Sequence, residues 1–309
     1  MKCRAITAAI ALTGVIACGP DRPDPAAHPD EVMSTARGRR LGVVQLVHSE
    51  GHRLHGTSRL LVSAAFVRTD GLDRGTVARV LGLPDIPDAA DFESAQCAVS
   101  STSVSASMDE AGGAPAVELL DAGALELRAG PETITVPSQY FPDVVSNIAG
   151  VTYEATVRSR SALPTTSQGL RATIAASGSV DVGAFEVSLQ VPARLRLVEV
   201  GGRAVRHGVV MAELTGELGL SWEPPSRDSD LLVVEVARQS FGSVSTVRCL
   251  APDNGAFAVP GEMLARLPPS GPDTTDRLSV RRIMLQPFDA PGLHEGLAVY
   301  VTEDAVLLR

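Results

Sequence analysis

Three histidines lie close together in the first third of the chain, at His48, His52 and His55. On a helix, this H-x3-H-x2-H spacing would put the three imidazoles on one face, where they could bind zinc with the carboxylate of Glu50 as a helper. Two glycines interrupt the stretch, however, and the flanking residues have the composition of strands. The sequence favours a solvated hairpin loop with no metal and no other cofactor, and it leaves a zinc site as the alternative.

Other catalytic motifs are absent from the sequence. It contains no G-x-S-x-G nucleophile elbow, no phosphate-binding loop and no dinucleotide fingerprint. His294-Glu295 lacks the second histidine of an H-E-x-x-H motif, and His207 and His294 stand alone, so we expect both histidines at the surface. We therefore predict no catalytic residues and a protein that is not an enzyme.

Aromatic residues are scarce, at 4% of the chain with one tryptophan. A flat sugar ring needs an exposed aromatic side chain to pack against. Trp222 falls at an inward position of a predicted strand, so we expect it in the core. Tyr140-Phe141 lies in a predicted loop and is the one pair that we expect to be exposed. Polysaccharide binding stays open as an alternative function.

The N-terminus has the layout of an export signal. Lys2 and Arg4 supply positive charge, the run from Ala5 to Ala17 is mostly apolar, and Gly19-Pro20 ends that run. A helix needs roughly 20 apolar residues to cross a bilayer, so this run is too short to serve as an anchor helix. The segment before Cys18 is predicted to be a removable signal peptide.

The end of this segment, Val15-Ile16-Ala17-Cys18, resembles the lipobox of bacterial lipoproteins. The resemblance implies cleavage before Cys18 and a diacylglyceryl group on its sulfur, with a palmitate-type acyl chain in the membrane. Because Gly19 is not aspartate, the resemblance also implies the outer membrane, at its periplasmic face or at the cell surface. The alternatives are a plain secretory signal and an uncleaved anchor.

Composition indicates a folded and acidic body. The 309 residues are 44% hydrophobic and 20% charged, which allows a packed core. The formal net charge of −9 becomes −11 once the segment carrying Lys2 and Arg4 is removed. An acidic surface repels phosphate backbones, so nucleic acid is not an expected partner.

Two cysteines remain in the predicted body, Cys97 and Cys249. We assign them to different domains, and two buried thiols fit the sequence as well as a bonded pair does. An exported protein can oxidise such a pair, so the pairing stays open. We predict no disulfide.

Short runs of alternating hydrophobicity, separated by turn residues, predict an all-β fold. We expect two β-sandwich domains after the signal and a flexible tether rich in Pro and Asp. The predicted segments are the signal peptide at residues 1–17, the lipidated cysteine and tether at 18–40, an N-terminal sandwich at 41–192 and a C-terminal sandwich at 193–309.

The last hundred residues resemble the immunoglobulin-like or fibronectin-III-like modules of bacterial envelope proteins. The resemblance is carried by Leu218–Trp222, Leu231–Val236, Val247–Cys249 and Ala256–Pro260. It implies the sandwich architecture alone, because the Cys…Trp…Cys spacing of antibody domains is missing. A D-x-G-A-F-x-V pattern also occurs twice, at Asp181–Val187 and Asp253–Val259. It predicts a turn with Gly at positive φ, followed by a strand with inward Phe and Val.

The sequence thus predicts a lipid-anchored cell-envelope protein that serves as a non-enzymatic binding or structural module. Its expected partners are the membrane, reached through the Cys18 lipid, and another envelope protein met through a loop or a sheet edge. The alternatives are a metal-binding protein or metal-dependent enzyme that uses His48, His52 and His55, and a surface adhesin that binds polysaccharide.

Overall fold

The computed structural model describes residues 38–50, 58–69, 97–103, 117–141, 148–159, 171–225 and 231–309. Gly38 to Arg309 form one compact unit. The predicted signal, Cys18 and the tether as far as Arg37 lie outside the described residues. The first strand begins at Arg39, two residues before the predicted start of the first domain at Leu41.

The regular secondary structure of the described residues is almost entirely strand, as the sequence predicts. One short helix, α1, covers Gly261–Leu264. The strands are β1 (Arg39–Glu50), β2 (Ser58–Thr69), β3 (Cys97–Ser103), β4 (Val117–Leu119), β5 (Leu125–Ala129), β6 (Glu132–Val136), β7 (Ser138–Phe141), β8 (Ile148–Ser159), β9 (Arg171–Ala176), β10 (Phe185–Gln190), β11 (Leu197–Val200), β12 (Arg203–Ala204), β13 (Val209–Val210), β14 (Leu218–Trp222), β15 (Leu231–Ser240), β16 (Ser243–Ala251), β17 (Ala256–Val259), β18 (Thr275–Phe288) and β19 (Glu295–Leu308).

These strands form three sheets. Sheet A has the order β3-β16-β15-β18-β19-β1-β2-β4-β8-β7, with β13 paired to β19. Sheet B has the order β10-β9-β5-β6, and sheet C the order β12-β11-β14-β17. Most pairs are antiparallel, but β1 runs parallel to β19, with Leu41 opposite Glu295 and Ser49 opposite Glu303.

Sheet A has two apolar cores on one of its faces. The first core joins inward side chains of sheet A, such as Leu46 and Phe66, to Leu127 and Ile174 of sheet B. The second core joins Val234, Val247 and Val280 of sheet A to Leu220 and Trp222 of sheet C. The molecule is thus two sandwiches that share one long sheet, because alternate residues of each strand face the same side.

The predicted boundary at residues 192 and 193 lies between the strands of sheets B and C. Sheet B ends with β10 at Gln190, and sheet C begins with β11 at Leu197. Sheet A crosses this boundary, since β3 pairs with β16 and β1 pairs with β19. At this boundary the layer that packs on sheet A changes from sheet B to sheet C. That it separates two domains stays a prediction.

The prediction that Cys97 and Cys249 stay unpaired is wrong, because the structure joins them in a disulfide. The two cysteines lie directly opposite each other in the antiparallel pairing of β3 with β16. The prediction failed because it placed the two cysteines in separate domains, each made of one continuous stretch of sequence, whereas β3 belongs to the same sheet as β16.

A row of polar side chains separates the two cores on the inner face of sheet A. His48, Thr302 and Arg282 are directly opposite one another on β1, β19 and β18. All three are buried, with at most 2% of each residue exposed. We call these three residues the polar row.

The chain between sheets B and C passes over the polar row. Thr302 Oγ1 donates to the carbonyl of Ala193 at 3.3 Å, and Arg282 donates to the carbonyl of Arg194. Two residues further along β19, the Oδ2 of Asp304 accepts from the Leu197 amide at 2.8 Å. Buried carbonyl and amide groups need such partners, so polar side chains occupy the line between the cores.

Arg282 has the most demanding place in the row, because its guanidinium is a fully buried charge. Its Nε and Nη2 donate to both carboxylate oxygens of Asp253 at 2.7 and 3.1 Å, and Nη2 also donates to the carbonyl of Glu223 at 2.7 Å. Asp253 Oδ1 in turn accepts from the indole Nε1 of Trp222 at 2.9 Å. The pair ties β18 to the end of β14.

Replacing Arg282 by Met should lower the free energy of unfolding by about 3–5 kcal/mol, because Asp253 would keep a buried charge without its partner. Adding Asp253→Asn should return part of the loss. Arg196→Ala is the matched control, since Arg196 and Glu223 form an exposed pair at 3.4 Å that contributes about 0–1 kcal/mol. Urea unfolding measures all three, and equal losses for Arg282→Met and Arg196→Ala would contradict the prediction.

Candidate functional site

Of the three histidines considered for zinc binding, the structure describes His48 alone. His48 lies in β1 on the inner face of sheet A, with Leu60 of β2 on one side and Thr302 of β19 on the other. It is 1% exposed, so the expectation of a solvated loop is wrong for this residue. His52 and His55 lie outside the described residues. Within the described stretches, no three His, Cys, Asp or Glu side chains are grouped to hold a metal ion.

Burial lowers the pKa of His48 from its usual 6.5, and the nearby positive charge of Arg194 lowers it further. The imidazole is therefore neutral at pH 7. Among the described residues its Nε2 has no hydrogen-bond partner. A neutral ring that is 1% exposed does not meet a substrate from solution, so His48 is part of the buried line between the two cores.

A second cluster of charges lies on the opposite face of sheet A. Glu235 accepts from Arg248 at 3.0 Å and from Arg281 at 3.4 Å. Arg281 also donates to Glu303 at 3.2 Å, and Glu303 accepts from Arg277 at 2.9 Å. Every carboxylate of this cluster is held by two guanidinium groups. The geometry links β15, β16, β18 and β19, and it provides no free acid or base.

Among the described large apolar side chains, Phe241 is the most exposed, and it lies at the tip of the hairpin that joins β15 and β16. The ring is fully exposed, at 102% of its reference area. Phe241 and Gly242 form a two-residue turn, in which Gly242 has a φ of 75° and Ser240 and Ser243 approach to 2.6 Å through their hydroxyls. Such turns depend on the glycine and on the backbone, so the aromatic ring is not needed to form the turn.

The stem beneath Phe241 is held rigidly. Arg238 donates from Nε and Nη2 to Asp276 at 2.7 and 2.8 Å and also donates to the carbonyl of Pro268. The pair raises the pKa of the Arg238 guanidinium, so its charge is permanent. An ordered stem lets Phe241 make a contact without the entropic cost of first ordering a loop.

Met211 lies at the same end of sheet A and is 56% exposed. It follows β13, whose Val210 is opposite Leu308, and the next amide, that of Ala212, donates to the Arg309 carbonyl at 3.1 Å. We call the surface that carries Phe241 and Met211 the hairpin end. β1 starts beside Glu295 at the other end of β19, thirteen residues and about 43 Å away along the strand.

The remaining candidates fall where the sequence places them, with one exception. Trp222 is buried at 2% exposure, and His207 and His294 are exposed, as predicted. Tyr140 is 71% exposed as expected, but it lies in edge strand β7 and not in a loop. The side chain of Phe141 is outside the described part of the structure.

The hairpin end is a surface that the sequence pattern did not predict. Ser240-Phe241-Gly242-Ser243 sits between two strands of clear alternation, a setting in which turn residues are normally polar. A phenylalanine at such a position is the signal that could have identified an exposed contact residue.

Comparisons with known proteins give no family. No family model and no curated protein matches the chain. A solved cytokine receptor complex is similar over 60% of this chain and 88% of its own, at 16% identity and a TM-score of 0.19. The Fcho1 Mu homology domain of Danio rerio with bound Eps15 peptide is similar over 88% and 98%, at 8% identity and a TM-score of 0.24. Matches at these TM-scores carry no argument about fold or function.

No helix in the described stretches is long and apolar enough to cross a membrane.

His48 should make the protein less stable as the pH falls below about 6.5. The unfolded chain binds a proton at that pKa, whereas the folded chain, with its lowered pKa, does not. The free energy of unfolding should therefore fall by up to about 1.4 kcal/mol per pH unit in this window from His48. Urea unfolding at pH 7.5, 6.5 and 5.5 should show a shallower fall in His48→Leu than in the wild type. The exposed His207→Asn variant should match the wild type, and equal slopes for His48→Leu and wild type would refute the assignment.

Proposed function

We propose that this chain is a lipid-anchored protein of the bacterial cell envelope whose β-sandwich body serves as a non-enzymatic binding module. The observation that carries the anchoring is the order of positive charge, apolar run and Val15-Ile16-Ala17-Cys18. The sulfur of Cys18 holds the lipid, and Gly19 favours the outer membrane. The immunoglobulin-like or fibronectin-III-like affiliation of the second sandwich belongs to the same proposal.

The pairing of the charged groups in the body supports a non-enzymatic role. Arg282 and Asp253 are fixed to each other and to backbone carbonyls, and Arg238 is fixed to Asp276. Glu235 and Glu303 are each held by two arginines. Groups committed to structural ion pairs are poor general acids or bases, because moving their proton breaks the pair.

The hairpin end is the surface that we assign to a protein partner. Aromatic residues and methionine are enriched in the centres of protein interfaces, and the rim beside Phe241 carries the hydroxyls of Ser240 and Ser243. Burying one phenylalanine supplies about 1.5–3 kcal/mol, so the ring acts as an anchor within a larger contact. Strand β1, which follows the predicted tether in sequence, begins at the opposite end of sheet A from the hairpin end.

Replacing Cys18 by Ser should abolish lipidation, because the thioether cannot form on a hydroxyl. In the native host, Cys18→Ser should lose palmitate labelling and move from the detergent phase to the aqueous phase. Cys3→Ser is the matched control, since Cys3 leaves with the signal and its loss should change neither result. A wild-type mature protein that begins at Met1, or that stays in the aqueous phase, would overturn the proposed anchoring.

Replacing Phe241 by Ser should remove a partner contact without lowering stability, since the ring is fully exposed. A photo-crosslinking residue placed at Met211 in intact cells should give an adduct band that disappears in Phe241→Ser. Val180→Ser is the control, because Val180 is 98% exposed at another site. An adduct that persists in Phe241→Ser, or that Val180→Ser removes equally, would argue against the hairpin end as the contact.

A further inference from the structure

Among the described strands, β3 lies at one end of sheet A. It pairs along its whole length with β16, from Cys97 opposite Cys249 to Ser103 opposite Ser243, and it stands last in the strand order of the sheet. An outer strand has backbone hydrogen bonds on one side only, so its attachment depends on one ladder and on its side chains.

The side chains of residues 97–101, which are the ones described in β3, add few apolar contacts to that attachment. Cys97 and Val99 pack against the second core, whereas Ala98, Ser100 and Ser101 are exposed. Backbone hydrogen bonds have a small net effect, and ordering a strand costs conformational entropy at every residue. With so little apolar surface buried, the noncovalent hold on β3 is marginal.

The disulfide adds a covalent hold at one end of this strand. It joins residues 152 positions apart in the sequence. It therefore holds β3 beside β16 and removes the conformational entropy that the long intervening chain would gain if β3 were released. Cys249 is fully buried, while Cys97, on the edge strand β3, is partly exposed. A thiol from solution therefore reaches the bond from the side of Cys97.

We propose that the Cys97–Cys249 disulfide is a redox latch that decides whether β3 is docked on sheet A. A dithiol reductant attacks the Cys97 sulfur through its thiolate, breaks the S–S bond and forms a mixed disulfide. Its second thiol then closes the reductant's own disulfide and releases Cys97. Two electrons and two protons reach the protein, which leaves two thiols, and the reductant is oxidised.

Release of β3 changes the surface that the sheet presents. The sheet then ends at β16, whose nine residues have one side of backbone N–H and C=O groups unpaired. Such an edge accepts an added strand. β16 also starts directly after Phe241 and Gly242, so the latch controls the edge beside the hairpin end.

Hydrogen exchange of the full chain with and without dithiothreitol tests the latch. With reduction confirmed by mass, amides of residues 97–103 should exchange at least tenfold faster, while β15, β18 and β19 keep their protection. Two results would overturn the proposal. One is unchanged protection in β3, and the other is loss of protection throughout the second sandwich, which would make the bond a structural crosslink only.

Two variants separate the latch from general effects of the reductant. Cys97→Ala with Cys249→Ala should exchange fast in β3 whether or not dithiothreitol is present. Adding Ser101→Cys and Ser245→Cys moves the bond along the same ladder, because these residues are opposite each other with hydroxyls 3.2 Å apart. Once formed, the relocated bond should restore the protection of the β3 amides, and its reduction should remove that protection again. Failure of a formed bond to do so would contradict a latch.

Discussion

The two-core arrangement depends on the hydrogen bonding of one backbone segment. The chain that leaves sheet B for sheet C must cross the inner face of sheet A, where apolar side chains would leave its carbonyls without partners. Thr302 and Arg282 supply those partners at the line between the cores, and Asp253 neutralises the charge that Arg282 brings. His48 continues the row on β1. The polar row thereby explains why one face of one sheet has two separate cores and where they divide.

The shared sheet makes the two sandwiches one mechanical unit. Strands β1, β19, β18 and β15 are hydrogen-bonded neighbours, so a continuous ladder runs from the strand that follows the tether to the hairpin that carries Phe241. Strand β3 precedes the first strand of sheet B in sequence, yet it belongs with the second sandwich. Cutting the chain near residue 192 would therefore separate strands that pair, and each sandwich needs residues from both halves of the sequence.

Local patterns predicted the strands well and the pairing poorly. Alternation correctly identified the inward faces of β14, β15 and β16, including Trp222. The repeated D-x-G-A-F-x-V pattern leads into β10 and β17, which are outer strands of sheets B and C; Gly255 has the expected positive φ, whereas Gly183 does not. The parallel pairing of β1 with β19 joins residues more than 250 positions apart, and no local pattern encodes such a contact. The burial of His48 could have been predicted, because the period of two on β1 places it inward after Val44 and Leu46.

The same reasoning explains why the sequence predicts a compartment but no specific partner. An export signal is defined by the linear order of charge, apolar residues and cysteine, so it can be recognised from the sequence without the fold. Binding through an exposed turn requires only that a side chain be presented rigidly. Arg238 fixes the stem beneath Phe241 through partners that are distant from it in sequence, Asp276 on β18 and the carbonyl of Pro268. Their proximity is created by the antiparallel pairing of β15 with β18. A contact site of this kind becomes recognisable only when strand pairing and solvent exposure are both known, because Phe241 without them is one apolar residue among many.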